Sequence, residues 1–336
     1  MIISIYCKAS TQIGLGHLIR SISFANQILF FDKEISVNFY LIGDVSLSKL
    51  ITNKSINVKA VTSESDFVEI IATDVLVLDM TDISLSLLNK LKATSKVSAI
   101  LSPVFNYYNH IDLYFGRTKY LNFDIEQFPN LKVFAGFEYA IIQDNCKKIS
   151  AGTFEQNLNS THFPIAIIMG GGDATNKTLE LLRGLKHCTV SATFWVMLGE
   201  GYKHSLDDLI DEIRRDTNHE IILAKTNSSM WSILQNCVLC ILPGGVTSFE
   251  AVYAGLPSIN FFENKSQEFL LKEIAEHKAA YNFGEYNLEL ITEISKLIEE
   301  LFKNRKKLLQ MHVNSKNLID NRGSYRILET IKKEIL

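Results

Sequence analysis

The stretch TQIGLGHLIRS, residues 11–21, sets a histidine directly after the second of two glycines, between a strand-like run and an apolar-periodic helix. Gly14 and Gly16 permit a tight turn and let a backbone approach a ligand closely. His17 falls at the start of the helix, where the positive end of the dipole disfavours an imidazolium. A neutral imidazole accepts a proton and suits a general base. A helix-end or surface histidine is an equal reading of that spacing. Arg20, one turn on, either holds an anion or pairs with a carboxylate, the commoner use. Asp79 closes the run DVLVLD, where it orients a catalytic group or is an ordinary strand-end carboxylate.

Two further glycine loops follow strand-like runs. In MGGGDATNKT, residues 169–178, Gly170, Gly171 and Gly172 can present several backbone N–H groups to a phosphate, with Asn176 and Thr178 capping or donating and Lys177 adding charge. In LPGGVTSFEAVYAGLPSINFFENKSQ, residues 242–267, Gly244 and Gly245 precede a helix opened by Thr247 and Ser248. The free N–H groups and hydroxyls of such a helix start suit phosphate oxygens. Glu250, one turn inside, either accepts from the vicinal hydroxyls of a ribose or complements the dipole. Asn264 and Gln267 follow the next strand, where they reach a sugar or lie in a solvated loop.

Several chemistries are excluded. The third glycine of a dinucleotide fingerprint would fall on Ile19, and neither a Walker lysine nor a serine elbow is present. His110, His162, His187, His204, His219, His277 and His312 lack metal spacing. Cys237 and Cys240 sit in the apolar run CVLCILP with no second pair, which predicts a buried strand and no metal. A formal charge of −3 argues against a general nucleic-acid binder. An odd five cysteines and no secretory signal predict a reduced, cytoplasmic setting. No apolar run reaches the roughly 18 residues that span a bilayer. Peripheral membrane contact stays open, and no oligomeric state is assigned.

The elements that must position these loops alternate along all 336 residues. Strands are expected at 2–7, 37–43, 74–79 and 96–102, and near 112–115 and 131–134, with helices at 16–31, 46–51, 66–72 and 82–93. The polar segment 144–162 is expected as a linker. The alternation restarts at FPIAII and runs to PSINFF, and the remainder is expected to be mostly helical. Two such series predict an α/β protein with two Rossmann-like open parallel-sheet domains. Their boundaries are expected at 1–143 and 163–310, with C-terminal helices over 311–336. Ligands of such sheets bind at the carboxyl ends of strands, so the cleft between the domains is the expected site.

This constellation resembles the GT-B architecture of nucleotide-sugar enzymes. More closely, it is similar to the UDP-2,4-diacetamido-2,4,6-trideoxy-altropyranose hydrolases of pseudaminic acid synthesis. The similar segments are STQIGLGHLIRSISFANQ, DVLVLD, GFEYAII, MGGGDATNKT, GGVTSFEAVYAGLPSI and DNRGSYRI, which extend over nearly the whole chain. The resemblance implies water attack at the anomeric carbon and release of UDP; no cofactor is expected, and no metal, since nothing here resembles the D-x-D carboxylate pair that holds one in other transferases. It implies that His17 is catalytic and that Gly14, Gly16, Arg20, Asp79, Thr81 and Asn264 line the sugar side. On the nucleotide side it implies Gly170, Gly171, Gly172, Asp173, Asn176, Gly244, Gly245, Thr247, Ser248 and Glu250. Three positions depart from the family pattern. Lys8 stands for an aspartate, Thr81 for a tyrosine, and Lys265 for the glutamine after Asn264. All three belong to the sugar side. Two other readings stand beside the hydrolase: an inverting glycosyltransferase with a sugar hydroxyl as acceptor, and a non-catalytic nucleotide-sugar binder.

Overall fold

The computed structural model describes residues 1–10, 12–67, 70–225, 230–262 and 265–335. The chain forms two compact units, Met1–Gln143 with Asp320–Leu336, and Asp144–Ile319.

The first unit runs β1 (Ile2–Ala9), α1 (Gly16–Phe31), β2 (Ser36–Gly43), β3 (Ile56–Val61), β4 (Thr73–Asp79), α2 (Leu85–Ala93), β5 (Ser95–Ile100), β6 (Leu113–Gly116) and β7 (Lys132–Ala135). The strands make one parallel sheet in the order β3-β2-β1-β4-β5-β6-β7. Apolar residues fill both faces, as in a parallel sheet covered on both sides. Ile3, Ile5, Val75 and Val77 meet Leu18, Phe24 and Ile28 of α1 on one face. Tyr6, Leu76, Leu78 and Ile100 meet Leu87, Leu88 and Leu91 of α2 on the other.

The second unit continues with α3 (Ala151–Leu158), β8 (Phe163–Ile168), α4 (Lys177–Leu185), β9 (Ala192–Leu198), α5 (Leu206–Arg215), β10 (Glu220–Lys225), α6 (Met230–Leu234), β11 (Leu239–Pro243), α7 (Val246–Ala254), β12 (Ser258–Phe262), α8 (Glu268–Glu276), β13 (Ala280–Glu285), α9 (Glu289–Lys303) and α10 (Arg305–Ser315). Its parallel sheet has the order β10-β9-β8-β11-β12-β13. In both sheets the strand order reverses beside the first strand, between β1 and β4 and between β8 and β11. Such switch points open a crevice at the carboxyl ends, where ligands bind.

Four expectations change. Segment 144–162 is no free linker, because it carries α3, with Phe154 buried. The final helix, α11 (Gly323–Ile335), belongs to the first unit, where Ile327, Leu328 and Ile331 join the α1 face of the core. No helix forms at 66–72 among the described residues, since a 3-10 turn ends at Asp66 and Phe67 is extended. Strands β3 and β13 escaped the periodicity because both are sheet edges with polar positions such as Lys59 and Asn282. The resemblance segments GFEYAII and DNRGSYRI pack together. Arg326 pairs with Asp320 at 2.7 and 2.6 Å and donates to the Glu138 carbonyl at 3.0 Å. A Cβ on Gly323 would collide with the Ala140 carbonyl.

Candidate functional site

At the first switch point the chain leaves β1 and turns through Gly14, whose φ of +93° suits glycine and whose missing Cβ would meet nothing within 4 Å. The turn is closed by Gly14 N–H donating to the Ser10 carbonyl at 2.9 Å and Ile13 N–H to the Ser10 hydroxyl at 3.0 Å. Gly16 opens α1, and no side chain caps the helix start. His17, Arg20 and Ser21 then share one helix face at i, i+3 and i+4.

All three converge on Asp79, the last residue of β4, which is fully buried. His17 Nδ1 lies 2.6 Å from Asp79 Oδ1. Arg20 donates from Nε to Oδ2 at 3.0 Å and from Nη2 to Oδ1, and Ser21 donates to Oδ2 at 3.0 Å. Burial alone would raise the Asp79 carboxyl, but the charge of Arg20, then that of His17 and the hydrogen bonds of both, hold it down to about 2. An ionised Asp79 accepts from Nδ1–H, which leaves the Nε2 lone pair as the basic site of a neutral ring. Arg20 Nη2, 3.1 Å from Nδ1, is a second donor aimed at the same carboxylate. Of the two readings of Arg20, the structure displays the carboxylate pair. Ser21 was not singled out by spacing, since nothing in the sequence alone ties α1 to β4.

The first two departures meet in one place. Lys8 Nζ lies 2.7 Å from Glu64 and 2.8 Å from Asp82, and the exposed Thr81 donates to Asp82 at 3.3 Å. Positions 8 and 81 are therefore joined through one carboxylate, that of Asp82. Asn264 lies outside the described residues, and Lys265 opens a 3-10 turn, Lys265–Gln267.

The second switch point is built mainly from backbone. Gly170 has φ +81°, and the Gly171 carbonyl accepts from Gly201 N–H at 2.8 Å. A Cβ on Gly199 would come within 2.5 Å of that carbonyl, so the glycines let two loops touch. Asp173, at φ 45°, caps α4: its carboxylate accepts from Lys177 N–H at 2.8 Å and Thr178 N–H at 2.9 Å. Asn176 occupies the N-cap position of α4 without a side-chain cap hydrogen bond, so the capping side chain is that of Asp173 and not that of Asn176 or Thr178. Asn176 instead accepts from the Tyr202 hydroxyl at 2.8 Å, and the Asp173 carbonyl accepts from His204 Nε2 at 2.7 Å. Lys177 is buried, with its ammonium 2.5 Å from the Thr175 hydroxyl and 5.1 Å from the Tyr286 ring centre.

The start of α7 differs. Gly244 N–H donates to the Phe261 carbonyl at 2.5 Å, Gly245 provides no side-chain cap, and Thr247 is half-buried. Ser248 is buried and donates to Asn260 at 3.1 Å, which continues through Asn282 to the Leu271 carbonyl. Glu250 has no exposed surface, so the expected ribose contact is not displayed. It lies near Cys146, whose thiol is pushed up by burial and then by that carboxylate. Cys237 and Cys240 are buried and free, with Cys240 in β11. Among the described residues, no group of three or more His, Cys, Asp or Glu side chains could hold a metal ion, and no helix is long and apolar enough to cross a membrane.

The Acinetobacter baumannii protein MurG superposes with a TM-score of 0.66 at 13% identity, covering 99% of each chain. HepE of Anabaena, solved with UDP-glucose, gives 0.65 at 14% identity, covering 99% of this chain and 100% of that one. Staphylococcus aureus MnaA, solved with UDP, gives 0.59 at 11% identity, covering 98% and 96%. The fold is GT-B. At these identities the likeness speaks for the fold alone. No protein-family model matches the chain. An uncharacterized protein of Methanocaldococcus jannaschii is 24% identical over 277 residues, which are 80% of this chain and 57% of that protein. The chain thus spans little more than half the length of that relative. Within the GT-B framework, both loop clusters lie at strand carboxyl ends next to the reversals of strand order.

Proposed function

We propose that the chain cleaves UDP from a nucleotide sugar by a nucleophile that His17 deprotonates. The observation that carries this reading is the 2.6 Å contact between His17 Nδ1 and a buried, ionised Asp79 that Arg20 and Ser21 hold in place. Nε2 takes a proton from the nucleophile as its oxygen bonds to the anomeric carbon. The bond from that carbon to the diphosphate oxygen breaks, and the electron pair leaves with UDP. One displacement inverts the anomeric centre. Asp79 stabilises the imidazolium that forms, as an orienting carboxylate does in other histidine-based sites.

The diphosphate is assigned to the second unit. The start of α7 has no side-chain cap; Gly244 N–H is given to Phe261 and Ser248 N–H to Gly245, so the N–H groups of Gly245 and Thr247 and the positive end of the helix dipole are assigned to the phosphates, with Gly244 and Ser248 shaping the turn around them. Gly170, Gly171, Gly172, Asp173 and Asn176 shape the adjoining loop. UDP in the HepE and MnaA structures supports a uridine nucleotide as the ligand class. The resemblance supports water as the nucleophile and a diacetamido-trideoxy hexose as the first sugar to test.

The experiment is phosphorus and proton NMR of the protein with UDP-2,4-diacetamido-2,4,6-trideoxy-altropyranose and no acceptor. Release of UDP and free sugar, lost in His17→Ala, supports the hydrolase. UDP binding without turnover removes it in favour of a transferase or a binding protein. A panel of acceptor sugars then separates those two.

A further inference from the structure

The glycine loop of the second switch point is held by a neighbouring loop to which the mechanism above gives no part. Residues 199–204 follow β9, whose Met197 lies opposite Ile168 of β8, so both loops leave the sheet at its carboxyl edge. Three donors of the 199–204 loop meet three acceptors of the 170–176 loop. Gly201 N–H donates to the Gly171 carbonyl at 2.8 Å, the Tyr202 hydroxyl to Asn176 Oδ1 at 2.8 Å, and His204 Nε2 to the Asp173 carbonyl at 2.7 Å. A carbonyl only accepts, so Nε2 carries the proton. A Cβ on Gly199 would stand 2.6 Å from the Gly171 Cα, and one on Gly201 2.8 Å from the Gly171 carbonyl oxygen. Asp173 and Asn176, two of the accepting residues, have φ of 45° and 58°. Asp and Asn tolerate that region without preferring it, so the loop keeps its shape through what holds it.

These links fix which way the peptide groups face. A trans peptide sets its C=O and N–H on opposite sides. With the Gly171 carbonyl turned to Gly201, the Gly172 N–H faces away from the 199–204 loop. With the Asp173 carbonyl turned to His204, and to Asn176 N–H at 2.9 Å, the Ala174 N–H does the same. Among the described residues, nothing accepts from the N–H of Gly172 or of Ala174. Gly172 is buried, where an N–H without an acceptor is uncommon, and Ala174 is exposed. Successive backbone N–H groups turned to one side of a glycine loop are of the kind that bind anions. The Asp173 carboxylate between them is taken up by Lys177 N–H and Thr178 N–H. Burial, then the Asp173 and Asp208 carboxylates, push the Tyr202 phenol up to about 12, so it stays a donor.

We infer that the 199–204 loop clamps the 170–176 loop, with Tyr202 and His204 as positioning residues, so that the N–H groups of Gly172 and Ala174 receive a phosphate oxygen. The inference rests on the proposed reading of the second unit as the nucleotide side, and it deepens that reading. Tyr202, His204 and Ala174 do not follow from the resemblance. They follow from which carbonyls the neighbouring loop takes.

The test is proton–nitrogen NMR of the full chain, labelled at glycine and alanine, during titration with UDP, uridine or inorganic pyrophosphate, with UDP affinity read by calorimetry. Saturable shifts of the Gly172 and Ala174 amides with UDP and pyrophosphate, and none with uridine, are expected. His204→Ala should weaken UDP about tenfold. His204→Gln should recover it to within about twofold, because its side-chain amide offers an N–H in the place of the Nε2–H. Tyr202→Phe loses only the hydroxyl and should weaken UDP about threefold. A merely structural histidine would lower the urea midpoint in His204→Ala and leave the affinity of the folded protein as it was. UDP that binds without moving the two amides overturns the inference, as does unchanged affinity in His204→Ala or a loss that His204→Gln does not restore. If His204→Ala does not fold, Tyr202→Phe decides, and unchanged affinity there overturns the inference. If UDP does not bind at all, the nucleotide reading falls and pyrophosphate decides the clamp. Shifts of both amides that weaken in the variants then keep it, and their absence removes it.

Discussion

The two switch points of this molecule occupy equivalent places in similar sheets and are furnished differently. The first is filled by side chains: one ionised carboxylate gathers an imidazole, a guanidinium and a hydroxyl in a water-poor setting. The second is mainly backbone, with glycine loops in contact, Asp173 closing one helix start and Gly245 leaving the other without a side-chain cap. Side chains with a proton to give or take can do chemistry. Backbone N–H groups hold charge without changing it. On that difference the proposed function rests its placing of bond breaking in the first unit and of nucleotide binding in the second.

The sharpest break in that comparison is His17→Ala. Loss of one general base costs roughly 10² to 10⁴ in kcat, while UDP affinity, read by calorimetry, stays within about twofold. Asp79→Asn comes next. It leaves Arg20 without its carboxylate in a buried setting, so unfolding by urea should show a loss of about 3–5 kcal/mol. Turnover should fall with it, because the imidazole loses its orienting acceptor. Thr247→Val reverses the pattern: UDP binding weakens by roughly threefold to tenfold with kcat little changed, because one hydroxyl at the α7 start is lost. Acid exposes a smaller effect. The Asp79 carboxyl sits at about 2 against an ordinary 3.8, so its contribution to stability is complete above about pH 4 and is lost as pH falls through about 2. The stability gap between wild type and Asp79→Asn should narrow over that window. Lys8→Ala is expected to change least. Its pairs with Glu64 and Asp82 are partly exposed, and about 1 kcal/mol of stability is at stake.

Local pattern made much of this legible. The glycine turns, the helix start at His17 and the apolar strands β1, β4, β8 and β11 follow from spacing and hydropathy within single segments. What escaped depends on neighbours far apart in sequence. Ser21 matters only because β4 lies beside β1. Asp173 caps α4 from three residues before its N-cap position, Asn176, because the chain turns back through the left-handed region at both residues; Asp and Asn tolerate that region, but their types alone do not say which of them caps. Glu250 lies one turn into a helix start as expected, yet tertiary packing removes it from solvent. The edge strands β3 and β13 were hidden because an edge tolerates the polar residues that erase a strand's signal.

Hydrogen exchange of the full chain with and without UDP tests the division of labour most directly. The account predicts slower exchange of the amides at Gly244–Ser248 in the second unit and no change in the His17 turn, residues 12–21. Protection confined to the His17 turn, with the second unit unaffected, would contradict it.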